Sequence, residues 1–247
     1  MDLHISGDTG DLAKNVADWM VTLINKTLQT SDRFTLALSG GSTPEKLHLL
    51  LASAEYSEEI PWEKIHFFWG DERAVPFEDK RNNAKMAFDT LLDKVPVNKD
   101  HIHVMRTDIS PEESAAEYDR LCHEYFDGKP YTFDLVLLGM GDDGHTLSLF
   151  PGKPIVHEQE AWAKSFYLEA QSMHRITLTA PVVNLSANIA FLVAGANKAH
   201  ALYEVLRGEY QPDTYPSQVI KPVNGKLQWF ADRAAASEMM GKTPEAN

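Results

Sequence analysis

Four loops of this 247-residue chain combine glycine with charged or hydroxyl side chains, and each follows an apolar run of strand length. Residues 39–43 supply glycines and hydroxyls, and residues 70–73 supply two acids and an arginine. Residues 139–145 place a histidine beside acids, and residues 194–198 end in a lysine. Arginine, lysine and glycine-rich backbone bind phosphate, and a histidine beside a carboxylate can move a proton. The loops together predict acid–base chemistry on a small phosphorylated substrate.

The best candidate for the acid–base group is His145. It follows a glycine turn at the end of a predicted strand and has Asp142 and Asp143 within three residues. A neutral imidazole accepts a proton from water near neutral pH, and an adjacent carboxylate can fix its tautomer and stabilise the imidazolium. The alternative is a histidine that only stabilises its own loop.

The same loop matches the Gly-x-Gly-x-x-Gly fingerprint of dinucleotide-binding proteins at residues 139–144, but we reject that interpretation. Asp142 and Asp143 would place two negative charges where a pyrophosphate must bind. Pro151 also follows before a long helix can form, whereas the fingerprint normally opens a helix after the first strand of its unit. The sequence therefore predicts no organic cofactor at this loop.

The glycine loop at residues 39–44 is predicted to bind an anion. Gly40 and Gly41 allow the backbone to approach an oxyanion, Ser42 and Thr43 carry donor hydroxyls, and a helix that begins near Pro44 adds its positive end. The alternative is a glycine turn in which Ser42 or Thr43 caps the helix. The loop is not a Walker A motif, because no Gly-Lys-Ser/Thr follows at the required spacing.

Two further loops supply cations. Arg73 could bind phosphate or carboxylate in bidentate fashion, with Asp71 or Glu72 orienting substrate hydroxyls, unless these groups form only a structural ion pair. Lys198 lies in the first turn of a predicted helix, which is unfavourable for a cation unless an anion binds there. We therefore favour a ligand-binding role for Lys198 over a solvated surface position.

Apolar runs alternating with helical patterns predict an α/β fold: a mostly parallel, doubly wound (Rossmann-like) sheet with helices on both faces, in one domain over residues 1–247. Loops at the carboxyl ends of such strands face one crevice where ligands bind. A small extra β element is expected from 176–179, with 155–172 irregular or an added strand. The predicted main strands are 34–38, 65–69, 133–138 and 189–193, with minor ones near 102–104 and 227–230; the predicted helices are 11–29, 42–54, 82–94, 111–126 and 197–207.

Composition limits the classes of partner. The formal net charge of −13 opposes a nucleic-acid surface, so an anionic substrate must be held by a few placed cations and backbone N–H groups. The single cysteine, Cys122, is predicted to be a packing residue and fits a reducing compartment. No signal peptide or membrane-length apolar stretch is recognised, and His101 and His103 lack a third metal ligand by spacing. The expected location is cytoplasmic, without membrane contact.

The loops as a set resemble the glucosamine-6-phosphate isomerase/6-phosphogluconolactonase family. The resemblance rests on residues 38–44, 69–76 and 139–152, with 175–179 and 195–199 in support. The glycine loop and the Asp-Gly-His loop occur in both branches of the family, whereas Gly-Asp-Glu-Arg and Ser-Leu-Phe-Pro-Gly favour the lactonase branch. Two departures are small: Asn82 stands where Ser is usual, and Leu147 where many members have Ala.

The resemblance implies hydrolysis of 6-phospho-D-glucono-1,5-lactone to 6-phosphogluconate in the pentose phosphate pathway, without a metal or an organic cofactor. His145 would be the general base, supported by Asp143 or Asp71, and backbone N–H groups of the glycine loops would stabilise the oxyanion. The substrate-binding residues expected are Gly40, Gly41, Ser42, Thr43, Glu72, Arg73 and Lys198, with Arg175 as a further candidate.

Two rival functions use parts of the same site. An amino-sugar phosphate isomerase/deaminase would use the glycine loop and His145 for ring opening and would release ammonia from glucosamine 6-phosphate. A non-catalytic sugar-phosphate sensor would not need His145, but such sensors are usually joined to a DNA-binding module, which the chain has no room for. The oligomeric state is expected to be a monomer or a small homo-oligomer.

Overall fold

The computed structural model describes residues 2–241 and contains a six-stranded parallel sheet in the order β1-β9-β8-β5-β2-β3. A second, antiparallel sheet has the order β4-β7-β6. The strands are β1 Asp2–Ser6, β2 Phe34–Leu38, β3 Ile65–Trp69, β4 Asp71–Arg73, β5 Leu135–Gly139, β6 Ala163–Leu168, β7 Met173–Leu178, β8 Asn188–Val193 and β9 Lys226–Asp232. The helices are α1 Thr9–Thr27, α2 Ser42–Leu51, α3 Asn83–Ala87, α4 Pro111–Phe126, α5 Ala180–Asn184, α6 Ala199–Arg207 and α7 Ser237–Gly241.

Both faces of the large sheet are buried, which confirms the predicted α/β architecture with helices on both faces. Leu135 and Leu137 of β5 pack into one core with α1, α2 and α3, whereas Val136 and Leu138 pack into the other with α4, α5 and α6. This explains why the central strands are continuous apolar runs: a strand covered on both faces has no solvent side to alternate toward. Cys122 of α4 is fully buried in the second core, as a packing residue.

The small antiparallel sheet is the predicted extra β element. Strand β4 leaves the large sheet after β3 with only Gly70 between them, and it pairs with β7. Gly70 joins the two sheets, because its N–H donates to Leu38 and its carbonyl accepts from Leu178. The 155–172 segment contains a strand, β6, which pairs along its full length with β7.

Some predicted elements are different in the structure. The predicted strand at 102–104 is wrong: a 3₁₀ turn at Lys99–His101 leads into a single bridge between Ile102 and Phe67. The predicted helix 82–94 is instead a short α3 followed by a π-helical stretch at Phe88–Leu92. Strand β1 was not predicted, since it lies at the sheet edge and most of its side chains are exposed, which weakens its hydrophobic pattern.

Within residues 2–241, no helix has both the length and the apolar character needed to cross a membrane. The N-terminus of α4 has a capping box: the Ser110 hydroxyl accepts from the Glu113 N–H, and the Glu113 carboxylate accepts from the Ser110 N–H. This arrangement satisfies two of the N–H groups that a helix start leaves unpaired.

Asp232, at the end of β9, joins three segments near the carboxyl edge of the sheet. Its buried carboxylate accepts the N–H groups of Gly195 and Ala235 and the hydroxyl of Thr9. The Asp232→Ala variant is expected to lower the free energy of unfolding by about 1.5–3 kcal/mol, because buried donors lose a charged acceptor. Urea denaturation measures this. Asp232→Asn, which keeps one acceptor oxygen, should lose less, and equal stability of both variants and the wild type would contradict the assignment.

Candidate active site

The four loops named above lie side by side in the structure. Strands β8, β5, β2 and β3 are consecutive neighbours in the parallel sheet, so their carboxyl ends share one edge. A cleft of about 240 Å³ opens there. Of the predicted site residues, it is lined by Gly40, Gly41, Asp71, Arg73, His145, Arg175 and Lys198.

His145 is paired with one carboxylate. Its Nδ1 lies 2.5 Å from Oδ1 of Asp143, and the backbone N–H of His145 donates to the same oxygen. Burial raises the pKa of Asp143, but the hydrogen bond and charge of His145 outweigh it and hold that pKa below its usual range. An ionised Asp143 places the proton of a neutral imidazole on Nδ1 and leaves Nε2 as the basic nitrogen.

The local chain around His145 explains why glycine is needed at position 141. A Cβ there would lie 2.1 Å from Nδ1 of His145 and 2.4 Å from Oδ1 of Asp143. The Gly141 N–H donates to the carbonyl of His145, and Gly144 completes the turn with a φ of +76°. Gly141 of the Gly-x-Gly-x-x-Gly match therefore makes room for the His145–Asp143 pair.

The structure of the glycine loop contradicts one of its two interpretations, a turn with a side-chain helix cap. Gly41, with a φ of +101°, is the N-cap of α2, and no side chain caps this helix. The alternative in which Ser42 or Thr43 caps the helix is wrong, and both residues lie instead in its first turn. Neither lines the cleft itself. The backbone N–H groups of a first helical turn have no partner within the helix, which suits anion binding.

Two arginines lie directly opposite each other in the small sheet. Arg73 of β4 is in register with Arg175 of β7, and both line the cleft. Arg73 donates to the carbonyl of Arg81 at 2.7 Å, and Arg175 lies 3.6 Å from the Asp71 carboxylate. In the part of the chain that the structure describes, Nε of both arginines is buried without a hydrogen-bond partner.

Like charges opposite each other on a sheet destabilise it. Burial lowers the pKa of Arg175, and the charge of Arg73 acts in the same direction, while Asp71 opposes both. Arg175 is only 4% exposed, so water can do little to screen the pair. An anion bound between the two guanidinium groups would relieve this repulsion.

Asp71 and Asp143, the two carboxylates predicted as possible partners of His145, have different neighbours in the structure. The Asp71 carboxylate accepts from the Ser148 hydroxyl at 2.6 Å and faces Arg175. It makes no hydrogen bond to His145 among residues 2–241, whereas Asp143 does. Asp71 therefore orders the arginine side of the cleft.

The predicted substrate-binding role of Glu72 is wrong. Glu72 is 1% exposed and does not line the cleft. Its carboxylate accepts the backbone N–H groups of Arg73, Asn83 and Ala84 at 2.7–2.8 Å. Since two of these groups begin α3, Glu72 caps that helix and fixes Asn83 beside the cleft.

Lys198 ends the 3₁₀ turn Ala196–Lys198, which follows Gly195 and directly precedes α6. It lines the cleft, half-buried, and it forms no ion pair with any residue in the described range 2–241. An unpaired cation at this position agrees with the predicted affinity of the loop for an anion.

Several residues of the site were missed by sequence reasoning. Asn83 lines the cleft and donates to the Asp71 carbonyl at 2.9 Å, and a Cβ on Gly40 would collide with its side chain. Gln171 lines the cleft and accepts from Arg175. Phe150 stacks on His145 at 4.2 Å and has the Arg175 guanidinium 5.6 Å from its ring centre. Asn83 lies close to the Gly-Asp-Glu-Arg loop, but nothing in its immediate sequence marks it.

Residues 2–241 contain no group of three or more His, Cys, Asp or Glu side chains placed to hold a metal ion. His101 and His103 do gather with His66, whose ring stacks on His101 at 3.7 Å. The Tyr125 hydroxyl is hydrogen-bonded to both His103 and His66. The side chains of this histidine cluster, at the β3 edge of the sheet, are therefore held by contacts within the protein.

The fold and cleft define a doubly wound α/β protein with a cleft lined by cations and a histidine at the carboxyl edge of its sheet. A family model described as glucosamine-6-phosphate isomerases/6-phosphogluconolactonase matches residues 7–229. The chain belongs to this family, as its loops predicted.

The relatives include a 6-phosphogluconolactonase of Nostoc sp., 39% identical over 96% of this chain and 98% of that protein. The structure of 6-phosphogluconolactonase from Trypanosoma cruzi superimposes with a TM-score of 0.83 at 25% identity, covering 96% of both chains. A monomeric glucosamine-6-phosphate deaminase shares the fold, with a TM-score of 0.82 at 20% identity over 96% of this chain and 99% of that one. The predicted enzyme class, a lactone hydrolase, agrees with the names of the first two.

The capping role of Glu72 makes stability depend on pH. Burial raises the pKa of Glu72 to about 7, against 4.5 for an ordinary glutamate, and the three N–H groups offset this only in part. A raised pKa in the folded state means that the contribution of Glu72 is complete below pH 4.5 and is lost as the pH rises through about 7. The difference in unfolding free energy between wild type and Glu72→Gln should therefore fall over that window, by up to about 3 kcal/mol.

Urea denaturation of both proteins at half-unit pH steps measures this difference, in which the other titrating groups cancel. The exposed Glu63, changed to Gln, is the matched control. A difference that stays constant or rises with pH would show that Glu72 is ionised throughout.

Proposed function

We propose that this protein hydrolyses 6-phospho-D-glucono-1,5-lactone to 6-phosphogluconate, as a step of the pentose phosphate pathway. The observation that carries the proposal is His145, which is paired with Asp143 at 2.5 Å and lines the same cleft as Arg73, Arg175 and Lys198. A base poised for proton transfer beside several cations suits a neutral lactone ring that carries a phosphate. The lactonase names of the relatives support the same substrate.

His145 would act first as a general base and then as a general acid. Nε2 takes a proton from water as the water oxygen attacks the lactone carbonyl carbon, which gives a tetrahedral oxyanion. The intermediate collapses by breaking the bond between that carbon and the ring oxygen. The imidazolium returns its proton to the departing ring oxygen, which becomes the hydroxyl of the open acid, and Asp143 stabilises the imidazolium between the two steps.

The oxyanion would be stabilised by backbone N–H groups of the glycine loops that border the cleft. Gly40 and Gly41 bring the backbone to the cleft without side chains in the way. One well-placed donor to such an oxyanion is worth roughly 3–4 kcal/mol of the barrier. This assigns the glycines a direct part in the chemistry, besides substrate binding.

The phosphate would bind at the two arginines of the cleft. Arg73 and Arg175 face each other there, and a dianion between them would offset their repulsion. Lys198 and the backbone N–H groups of the first turn of α2 supply further donors. Phe150, stacked on His145 and close to Arg175, sets the spacing between the phosphate and the base.

The proposed reaction also has consequences for cofactors, cellular location and assembly. The reaction needs no metal or organic cofactor, because water, His145 and Asp143 supply every proton transfer. The lone Cys122, buried and without a second cysteine in the chain, fits the reducing cytoplasm. The protein is proposed to act as a monomer or a small homo-oligomer.

Replacement of His145 by Ala is expected to lower kcat by about 10²–10⁴-fold, because the general base is lost. Asp143→Asn should lower it by about 10²–10⁴-fold as well, since an amide donor facing Nδ1 favours the wrong tautomer. Hydrolysis of freshly made 6-phosphogluconolactone is followed against the spontaneous rate. His157→Ala is the matched control, because His157 is paired with Asp213 at 2.7 Å outside the cleft.

Normal turnover by His145→Ala would remove the proposed base. If the wild type does not exceed the spontaneous rate and instead releases ammonia from glucosamine 6-phosphate, the protein belongs to the deaminase branch. Binding of both sugar phosphates without turnover of either would indicate a sensor.

The Lys198→Met variant tests the phosphate subsite. Loss of one charge-assisted contact should lower kcat/KM for the phosphorylated lactone by about 10-fold or more. For glucono-1,5-lactone, which lacks the phosphate, kcat/KM should be unchanged. Lys46→Met, at an exposed position on α2, is the control. Equal losses with both lactones would show that Lys198 acts elsewhere than on the phosphate.

A further inference from the structure

A second cavity, of about 260 Å³, lies apart from the catalytic cleft. It shares no lining residue with the catalytic cleft. Its walls come from the end of α6, from the 3₁₀ turn Pro216–Val219 and from β9, and they are mainly apolar: Val205, Leu206, Ile220 and Leu227. A cavity of this size suits one aromatic ring or a short aliphatic chain, at the small end of ligand pockets.

Two residues that line the cavity carry buried donors without acceptors. Trp229 and Ser217 are 2% and 1% exposed, and for residues 2–241 neither Nε1 of Trp229 nor Oγ of Ser217 has a hydrogen-bond partner. Buried polar groups are rarely left unpaired, because each loses its bonds to water. A ligand that carries an acceptor oxygen would satisfy them.

A lysine side chain also lines this cavity. Nζ of Lys221 lies 3.8 Å from the ring centre of Tyr210, and both residues line the cavity. Lys221 forms no ion pair with any other side chain of the described part of the chain, although the protein as a whole is acidic. Tyr210 is 59% exposed, so it can move against a ligand without unpacking the core. Donors and an ammonium group together select for a negatively charged ligand.

The cavity is connected to the catalytic loop by one hydrogen bond. The N–H of Ser217 donates to the carbonyl of Gly144, which directly precedes His145, at 2.9 Å. Tyr215 packs beneath Gly144, where a Cβ would lie 2.9 Å from its ring. Gln218 is hydrogen-bonded to the backbone of the adjacent segment 204–211, through Glu204, Glu209 and Gln211. A ligand that shifts Ser217 therefore acts on the backbone next to His145.

We propose that this cavity binds a small apolar carboxylic acid, with its hydrocarbon part against the apolar walls and its carboxylate at Lys221. The site is separate from the proposed lactonase reaction, so its test reads binding and does not depend on turnover. An acid is preferred to a neutral molecule of the same shape, because the Lys221 ammonium has no carboxylate partner within residues 2–241 and the Trp229 and Ser217 donors have no acceptor there.

The test uses 3-phenylpropanoate and ¹H–¹⁵N NMR of the full chain. The indole N–H signal of Trp229, identified by its absence in Trp229→Phe, should shift saturably, and so should the amide signal of Gly144. The matched neutral compound, 3-phenylpropan-1-ol, should bind several-fold more weakly. Lys221→Gln should raise the Kd for the acid by about 2–5-fold, as for an exposed ion pair, while Lys226→Gln, an exposed lysine outside the cavity, should not.

Val205→Phe, which fills the cavity from its α6 wall, should abolish the shift of the Trp229 signal. Three results would overturn the proposal: no saturable shift, equal binding by Val205→Phe, or shifts confined to the His145 and Arg175 signals. The last would show that the acid enters the catalytic cleft. Full lactonase activity in Val205→Phe would separate failure of this site from failure of the catalytic one.

Discussion

The candidate site depends on the hydrogen bonding of β5 with its two parallel neighbours, β2 and β8. Because β3 is in turn paired with β2, the carboxyl ends of these four strands meet at one edge. Four loops that lie far apart in sequence thus become neighbours. A slip of one residue in any of these ladders would turn its apolar side chains from one core to the other, so the buried faces fix the register of the site.

The charged side chains of the cleft are mainly positive, whereas the whole chain is acidic. The protein carries a formal charge of −13, yet three cations line the cleft, and Asp71 forms an ion pair with one of them, Arg175. Burial of Arg175 removes most of the screening that water would supply. Such a local field would draw a phosphate toward one side of the cleft, while Asp143 keeps negative charge beside the base.

The sequence was most informative where a residue's role is local. The central strands were predicted because burial on both faces leaves long apolar runs, and Asp143 was one of the two candidate partners of His145 because it is two residues away. Roles that depend on distant pairing were harder to predict. Gln171 enters the cleft only because β7 pairs with β4, and Glu72 leaves it only because α3 begins beside its carboxylate. Neither arrangement leaves a pattern in the chain near those residues.

The segment after Lys99–His101, predicted as a strand, has a different significance at the edge of the large sheet. Strand β3 is the last in the order, and an uncovered edge strand offers its backbone to any other extended chain. The bridge at Ile102 and the His103 N–H donated to the Phe67 carbonyl occupy part of that edge, and the histidine cluster packs beside it. A segment too short to extend the sheet therefore serves to end it, and so guards the protein against edge-to-edge aggregation.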